Sequence, residues 1–312
     1  MATAPKSAEL DFNGFPAVNC PLSLSEKSAP LPPHVRSYET ESLLKLAGRT
    51  AVVTGAGGGI GRAIAASLAR RGCHLALADI DDAGLAQTAA EIAAPKLHIS
   101  RHRLDVSDRV AVADFPARVT GEHQGVDLLV NNAGVALGGT FEQVAEDDFE
   151  WLFAINFWGV VRMTRAFLPL LHNSDEARIV NISSVFGIIA PPGNTAYAAS
   201  KFAVRGFSES LRHEVKKTQI GVTVVHPGGI TTSIVKNSRM PKTNTPEEDE
   251  KKRKSFEAFL KLSPAVAGET IVKGIERRKA RVLVGSDAKK MALIERLMPV
   301  SYWNLLGPSF KR

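Results

Sequence analysis

The stretch TAVVTGAGGGIGRAIAASLA, residues 50–69, decides the fold. It begins with a short apolar and β-branched run, passes through a turn with five glycines and ends in apolar residues at helical spacing. A buried strand that enters a helix through such a turn is typical of the first βα unit of a parallel sheet, where the helix start offers free N–H groups to an anion. A turn without a ligand would use the same residues, so only the surrounding sequence can show whether this turn binds an anion.

Short β-branched runs alternate with helical patterns from this stretch onward. Helices are predicted near residues 109–124, 145–173 and 195–217, and several strands are apolar on both faces, as in a sheet covered on both sides. The alternation predicts an α/β fold, a doubly wound, mainly parallel, seven-stranded sheet in a single domain, residues 47–287. The predicted strands are RTAVVTG, CHLALADI, HISRHRLDV, VDLLVNNAG, ARIVNISS, GVTVVHPGG and ARVLVGSD.

Three segments depart from this alternation. Residues 1–46 contain six prolines and no apolar run like that of a signal peptide, which predicts a flexible or surface-draped arm. Residues 236–262 are polar, begin irregularly and become helical, which predicts a substrate lid or, equally, a solvent-exposed helical excursion. Residues 288–312 form an amphipathic tail that we expect to pack against its own protein, with a subunit interface, the substrate mouth and a membrane surface as alternatives.

The positive charge of the chain is concentrated near its C-terminus. The formal net charge is +7, and residues 251–312 hold 15 Lys and Arg against 5 Asp and Glu. Acids are interleaved with the bases, and aromatic platforms for a nucleic-acid strand are missing. We therefore expect a solvated basic face and no nucleic-acid partner, while peripheral membrane contact stays open without being favoured.

Composition limits the remaining classes of function. With 312 residues, of which 44% are apolar, the chain can bury a full core. It has no run of about 18 uncharged apolar residues, its two cysteines form no CxxC pair, and its eight histidines lack metal-binding spacing. We expect no transmembrane helix, no disulfide framework and no metal, and a reducing, cytoplasmic location.

The glycine-rich turn has the spelling TGxxxGxG, from Thr54 to Gly61. Eighteen residues after Gly61, Asp79 ends the second strand, where a carboxylate would accept hydrogen bonds from adenosine ribose hydroxyls. It would repel a 2′-phosphate, so NAD is favoured over NADP, although Arg62 follows the turn. Asp105, at a further strand end, has an alternative role as a helix N-cap. The predicted dinucleotide contacts here are Gly55, Gly58, Gly59, Ile60, Gly61, Asp79, Ile80, Asp105, Val106, Asn132, Ala133 and Gly134.

The pentapeptide YAASK, residues 197–201, lies in a predicted helix, so Tyr197 and Lys201 share one face. Hydride transfer from a secondary alcohol requires a general base at the hydroxyl oxygen. A tyrosine, with an ordinary pKa of about 10, becomes a better base when a nearby positive charge favours the phenolate. Ser184, thirteen residues earlier, would donate a hydrogen bond to the same oxygen, whereas Ser183 alternates to the other face.

These motifs together resemble a known family. TGAGGGIG, NNAG, Asn156, Ser184, YAASK and HPGGITT follow the order and spacing of the short, single-domain branch of the short-chain dehydrogenase/reductase family. The resemblance covers about residues 47–287 and implies a Rossmann-like fold and an NAD(P)-dependent oxidoreductase with Tyr197 as acid/base, assisted by Lys201. It further implies nicotinamide-side contacts from Tyr197, Lys201, Pro227, Gly228, Ile230 and Thr232.

Two polar residues have plain structural alternatives. Asn156 interrupts an apolar helical run, and from the residue alone a buried amide satisfied by backbone is the favoured interpretation. The resemblance implies instead that Asn156 organises a water connecting Lys201 to solvent, and that the helices with Asn156 and Tyr197 form a homodimer or homotetramer. His226, isolated at a strand end, is interpreted as structural.

The expected substrate is a hydrophobic secondary alcohol or ketone, which makes the protein an alcohol dehydrogenase or ketone reductase. It would contact Ser184, Phe186 and Tyr197, with an apolar wall from Phe186, Ile188, Ile189 and Pro191 and a second wall from residues 233–262. The alternative is an NAD-responsive binding protein that contacts membrane or nucleic acid through its basic C-terminal region. Nucleotide-sugar epimerase chemistry would need a larger substrate domain than the chain provides after HPGG.

Overall fold

A computed structural model describes residues 43–310 of the chain, with side chains up to residue 308. The predicted N-terminal arm, residues 1–46, lies outside the described residues except for its last four. Of these, Leu44 and Leu46 are buried in the core. Within the described part, no helix is both long and apolar enough to cross a membrane.

The described strands form one seven-stranded sheet in the order β3-β2-β1-β4-β5-β6-β7, and every neighbouring pair is parallel. The predicted doubly wound sheet is therefore confirmed. The strands are β1 Thr50–Thr54, β2 His74–Asp79, β3 Ile99–Arg103, β4 Leu128–Asn131, β5 Ala177–Ile182, β6 Ile220–Pro227 and β7 Arg281–Val284.

Helices cover both faces of this sheet. They are α1 Gly59–Ala69, α2 Asp82–Ile92, α3 Arg109–Thr120, α4 Glu146–Phe153, α5 Val160–His172, α6 Thr195–Glu214, α7 Pro246–Glu257, α8 Pro264–Glu276, α9 Ser286–Leu297 and α10 Tyr302–Phe310. One core contains Ile64 of α1 and Ile271 of α8, and the other contains Phe115 of α3 and Phe167 of α5.

The strands are apolar on both faces because each face belongs to a different core. In β2, Leu75 and Leu77 pack in the first core, whereas Ala76 and Ala78 pack in the second. All four side chains are buried. This period-two division of an uninterrupted apolar run is what a sheet between two helical layers requires.

The strand order reverses at β1, which pairs with β2 on one side and with β4 on the other. The helices that follow β1 and β4 pack on opposite faces of the sheet. Their connections therefore separate beyond the carboxyl ends of β1 and β4, and a crevice opens there.

The excursion between β6 and α8 contains α7 and is attached to the rest of the protein through Arg239. The Arg239 guanidinium lies 3.6 Å from the centre of the Trp151 ring and 2.8 Å from Asp148 Oδ1. These contacts hold the irregular start of the segment against α4. The role of residues 236–262 as a substrate lid stays a prediction.

Candidate functional site

The turn after β1 depends on backbone conformations that glycine favours. Gly55 and Gly59 have φ angles of +66° and +53°. A Cβ on Gly55 would lie 2.7 Å from Asn132 Nδ2. Gly58 precedes α1, and no side chain caps the helix start. The first-turn N–H groups are therefore available to an anion in the crevice.

The carboxylate of Asp79, at the end of β2, is held beside this turn. Its Oδ2 accepts a hydrogen bond from Gly57 N at 2.8 Å, and its Oδ1 accepts one from Asp81 N at 3.1 Å. Arg62 donates to the Gly57 carbonyl oxygen at 2.6 Å and forms an ion pair with Glu91 at 3.2 Å. The Arg62 guanidinium therefore already has partners in the backbone of the turn and in α2.

Two residues that were predicted to contact the cofactor make contacts within the protein itself. Gly61 is buried and does not line the crevice; a Cβ there would collide with the Gly55 carbonyl oxygen, so Gly61 permits α1 to pack on the turn. Asp105 lines the crevice, and its Oδ1 accepts hydrogen bonds from Ser107 N at 2.8 Å and Ser107 Oγ at 2.7 Å. The N-cap of α3 is Asp108, so the alternative role predicted for Asp105 is wrong.

The ends of β1 and β4 are joined by side-chain hydrogen bonds. Asn132 Nδ2 donates to the carbonyl oxygens of Thr54 at 2.9 Å and Gly55 at 3.1 Å. Thr54 Oγ1 in turn accepts from the backbone N–H groups of Asn132 at 3.0 Å and Ala133 at 3.1 Å. These bonds fix the separation of the two strand ends that border the crevice.

Asn156 lies in a π-helical turn, Ala154–Gly159, between α4 and α5, and it is fully buried. Its Oδ1 accepts from Val135 N at 2.9 Å, while its Nδ2 donates to Val135 O at 3.0 Å and to Ser200 Oγ at 3.2 Å. Ser200 Oγ donates to the Tyr197 carbonyl oxygen at 2.7 Å. The amide thus joins the loop after β4 to the helix with Tyr197; its water relay stays a prediction.

The predicted catalytic side chains meet at the start of α6. Lys201 Nζ lies 5.7 Å from the centre of the Tyr197 ring and donates to the Ile182 carbonyl oxygen at 3.1 Å. The Ser184 hydroxyl lies close enough to the Tyr197 phenol to lower the pKa of that phenol. Ser184 Oγ also accepts from Phe186 N at 3.1 Å, which orients the hydroxyl at the end of β5. A substrate oxygen next to Ser184 would therefore also be next to Tyr197.

Burial controls the acidity of this pair. It raises the pKa of Tyr197 to about 12, an effect that the nearby Ser184 hydroxyl only partly opposes. It also lowers the pKa of the Lys201 ammonium to about 8. The sequence predicted that Lys201 would lower the pKa of the tyrosine, but burial dominates, so the phenol is neutral and able to donate its proton at neutral pH.

Two residues hold the end of β6 in place. The structural role of His226 was predicted from the sequence, whereas that of Asp287 was not. His226 Nδ1 lies 2.9 Å from the Ser184 carbonyl oxygen, and burial lowers the pKa of His226 to about 4, so the ring is neutral at neutral pH. Asp287 Oδ2, from α9, accepts a hydrogen bond from Gly229 N at 2.7 Å. Asp287 also lines the crevice, and no sequence motif points to it because it lies 58 residues after Gly229.

The strand ends enclose an elongated cleft of about 680 Å³. Of the predicted site residues, Gly61 and Asn156 do not line it. Sequence reasoning missed several of the lining residues, among them Trp151, Asn194, Asp287 and Met291. The predicted residues that line the cleft are Gly55, Gly58, Gly59, Ile60, Asp79, Ile80, Asp105, Val106, Asn132, Ala133, Gly134, Ser184, Phe186, Tyr197, Lys201, Pro227, Gly228, Ile230 and Thr232.

A chamber of about 390 Å³ adjoins the cleft at Phe186 and Phe256, which line both. The rest of its lining is mainly apolar and includes Pro191, Met240 and Trp303. A few polar side chains interrupt this lining, as in pockets that bind largely apolar small molecules. We call this space the apolar chamber.

Only part of the expected wall from residues 186–191 faces the apolar chamber. Phe186 and Pro191 line it. Ile188 and Ile189 are 1% and 0% exposed and pack in the core beneath it, so their predicted place in the wall is wrong. The chain turns through a short 3₁₀ helix after β5, and this rotation buries the two isoleucines.

Comparison with known proteins gives a consistent result. A sequence profile described as short chain dehydrogenase matches residues 49–243. The chain is 43% identical over 263 residues to the Mycobacterium tuberculosis protein SadH, described as an oxidoreductase, and the match covers 83% of this chain and 94% of SadH.

Solved structures agree in fold. A short-chain dehydrogenase/reductase from Burkholderia phymatum in complex with NAD aligns with a TM-score of 0.75 and 29% identity, over 82% of this chain and 95% of that one. An alcohol dehydrogenase from the archaeon Thermococcus sibiricus, complexed with 5-hydroxy-NADP, aligns with a TM-score of 0.63 and 27% identity, over 76% and 94%.

The cleft fits the nicotinamide dinucleotide that such enzymes bind. Around Gly58 a Cβ would meet open space, the start of α1 is uncapped, and the Asp79 carboxylate stands beside the turn. This set of groups suits a pyrophosphate next to a ribose. Since the profile spans more than half of the chain and SadH matches along nearly its full length, this chain belongs to the short-chain dehydrogenase family of nicotinamide-dependent oxidoreductases.

Proposed function

We propose that the protein transfers a hydride between NAD(H) and an apolar secondary alcohol or ketone. The observation that carries this proposal is the position of Ser184 and Tyr197, which line the dinucleotide cleft next to Phe186, at the junction with the apolar chamber. A carbonyl or hydroxyl group at this junction would contact both side chains while its apolar substituents occupied the chamber.

The side chains divide the proton chemistry between them. Ser184 Oγ donates a hydrogen bond to the substrate oxygen and stabilises negative charge that develops there. During reduction, the neutral phenol of Tyr197 gives its proton to that oxygen; during oxidation, the phenolate takes it back. Lys201, buried beside the ring, favours the phenolate through its charge.

Groups along the cleft would hold the cofactor. The uncapped start of α1 suits the pyrophosphate, Asp79 the adenosine ribose, and Lys201 the nicotinamide ribose. When bound, the nicotinamide supplies or accepts the hydride. The turn that contains Ile230 and Thr232 also lines the cleft and would hold the carboxamide side.

Charge near Asp79 supports NAD in preference to NADP. Asp79 and Asp81 line the cleft, and a 2′-phosphate on the adenosine ribose would be placed next to these carboxylates. Arg62 is engaged by the Gly57 carbonyl and by Glu91. Binding of NADP would therefore require Arg62 to leave these partners or would leave the added charge uncompensated.

The helices with Asn156 and Tyr197 offer a surface for self-association. Trp158, in the π-helical turn, is 48% exposed, and Phe202, on α6, is 37% exposed. We include in the proposal a homodimer or homotetramer formed through this face. Light scattering after size-exclusion chromatography tests it, since Trp158→Ser together with Phe202→Ser should yield monomers, whereas an unchanged mass would contradict it.

A panel of alcohols and ketones tests the reaction. Initial rates would be measured with secondary alcohols of increasing apolar size, and with matched 2-hydroxy acids, using NAD and NADP separately. We expect kcat/KM to rise with apolar size and to be higher with NAD. Preference for the hydroxy acids, or no turnover of any apolar substrate with either cofactor, would refute the proposal.

A further inference from the structure

The two C-terminal helices have one buried and one exposed face. Toward the protein, Ala288 of α9 and Leu306 of α10 are buried in a core with Val185 and Phe186. This packing agrees with the default expectation for the tail. The opposite face of α9 is exposed, and its residues recur every three or four positions: Lys289, Lys290, Leu293, Arg296 and Leu297.

The C-terminal segment carries a high density of exposed, large apolar side chains. Leu293 is 57% exposed, Leu297 71%, Val300 93% and Leu305 55%. With Met298, these residues are five of the twelve large, exposed apolar side chains in the described part of the chain, although they span only residues 293–305. We call Leu293, Leu297, Val300 and Leu305 the apolar edge. Isolated exposed leucines are ordinary, but a concentrated set marks an interaction surface.

Positive charge borders the apolar edge. Lys289 and Lys290 precede it on the same face of α9, and Arg296 lies within it. Among residues 43–308, no carboxylate lies within 4 Å of the charged nitrogens of these three side chains. Apolar side chains flanked by uncompensated cations complement a surface that is apolar inside and negatively charged outside.

The second of these helices, α10, forms part of the apolar chamber. Trp303 and Gly307 of α10 line it, and Tyr302 Oη accepts a hydrogen bond from Ala190 N at 3.0 Å, which attaches α10 to the wall segment after β5. The apolar chamber and the apolar edge therefore both include residues of α10.

We propose that the apolar edge docks on the surface of an anionic lipid bilayer and brings the apolar chamber next to the source of its substrate. A second copy of the chain is a poorer occupant, because a symmetric contact through this face would place the cations of both protomers, Lys289, Lys290 and Arg296, in one interface. A bilayer containing acidic headgroups matches both the apolar side chains and the cations. Docking is independent of turnover, so its test does not depend on the proposed reaction.

Vesicle sedimentation with the full-length protein tests this proposal. The protein would be mixed with phosphatidylcholine vesicles, with and without phosphatidylglycerol, at low and high salt. We expect binding that requires phosphatidylglycerol and weakens at high salt. Leu297→Ser with Val300→Ser, and separately Lys289→Gln with Lys290→Gln, should each lower the apparent partition coefficient about tenfold or more.

The matched control is Val110→Ser with Phe141→Ser. Both residues are 70% exposed and lie far from the tail in sequence, so this variant removes similar apolar surface and should bind vesicles like the wild type. Thermal unfolding confirms that each variant is folded. The proposal is overturned if the wild type binds neither vesicle, if both tail variants bind as well as the control, or if light scattering shows that Leu297→Ser with Val300→Ser dissociates an oligomer.

Discussion

The ring of Phe256 on α7 packs edge-on against Phe186, with ring centroids 5.9 Å apart. Phe186 in turn packs edge-on against Tyr197, at 6.2 Å. A row of three aromatic rings thus connects the excursion after β6 to Tyr197, the proposed acid/base. Because both phenylalanines line the apolar chamber, a substrate that displaces one of them also affects the surroundings of the phenol.

Phe256→Ala should weaken the binding of apolar substrates. A single methylene contact in an apolar pocket is worth about 1–3 kcal/mol, so removal of a whole ring should raise KM for a bulky ketone by about tenfold or more. The dissociation constant for NADH, measured by fluorescence titration, should change little. Phe141→Ala, at an exposed phenylalanine, is the matched control. An unchanged KM in Phe256→Ala would show that α7 does not contact the substrate.

Tyr197→Phe should remove turnover and keep cofactor binding. Loss of a proton-transfer group typically lowers the rate about 10²–10⁴-fold. Initial rates and NADH titration would be measured on the same preparation. Tyr302→Phe makes the same chemical change on α10, where the hydroxyl only accepts a hydrogen bond from Ala190 N, and it should keep most of the activity. Substantial activity in Tyr197→Phe would exclude the phenol as the acid/base.

Asp79→Asn should reduce discrimination between the two cofactors. The change keeps the shape and an acceptor for Gly57 N, but it removes the charge that opposes a 2′-phosphate. We expect the ratio of kcat/KM for NADP to that for NAD to rise about tenfold or more. Asp82→Asn removes a charge 3.7 Å from Arg103, outside the cleft, and is the control. Equal ratios in the two variants would contradict the role given to Asp79.

Acid should destabilise the protein through a histidine cluster beside β3, in which His102 and His123 are buried. Ser100 Oγ lies 2.8 Å from His123 Nε2 and 2.7 Å from His102 Nε2, and the His98 ring lies 4.6 Å from that of His123. Burial, followed by the charges of His98, His102 and His74, lowers the pKa of His123 to about 4.

The direction of this stability change follows from the protonation of His123 in the unfolded and folded states. As pH falls below about 6.5, unfolded His123 takes up a proton, while the folded protein keeps it neutral down to about pH 4. The free energy of unfolding should therefore decrease between pH 7 and pH 5, by about 1–2 kcal/mol from this residue. Urea unfolding of wild type and His123→Gln measures this loss; the same pH dependence in both proteins would exclude His123 as its source.

Much of the site could be predicted because it depends on local spacing. The turn around Gly59 follows from its glycines, Asp79 from its place at a strand end, and the pairing of Tyr197 with Lys201 from one helical turn. Parallel strands bring these local features to one edge of the sheet. No longer-range information was needed to place them together.

The rest could not be predicted because it depends on contacts between distant segments. Asp287 supports Gly229 across the junction of β6 and α9, and Trp303 reaches the apolar chamber from α10. The pKa of Tyr197 could not be predicted for the same reason. The sequence shows that Lys201 is a neighbour of Tyr197, but it does not show that Tyr197 is buried, and burial dominates the pKa. Ile188 was misplaced because hydropathy does not distinguish a pocket wall from the core beneath it.

The two cavities draw most of their walls from different parts of the chain. The dinucleotide end of the cleft is built from the turns after β1 and β2 and from residues 132–134 after β4. The apolar chamber is lined instead by residues further along the same loop, within 136–143, and by the segment after β5, the excursion after β6 and α10. Substitutions at Met240 or Trp303 can therefore reshape the chamber without touching Asp79 or the glycine turn. Selection, natural or in the laboratory, could diversify the substrates of this scaffold while its coenzyme stays constant.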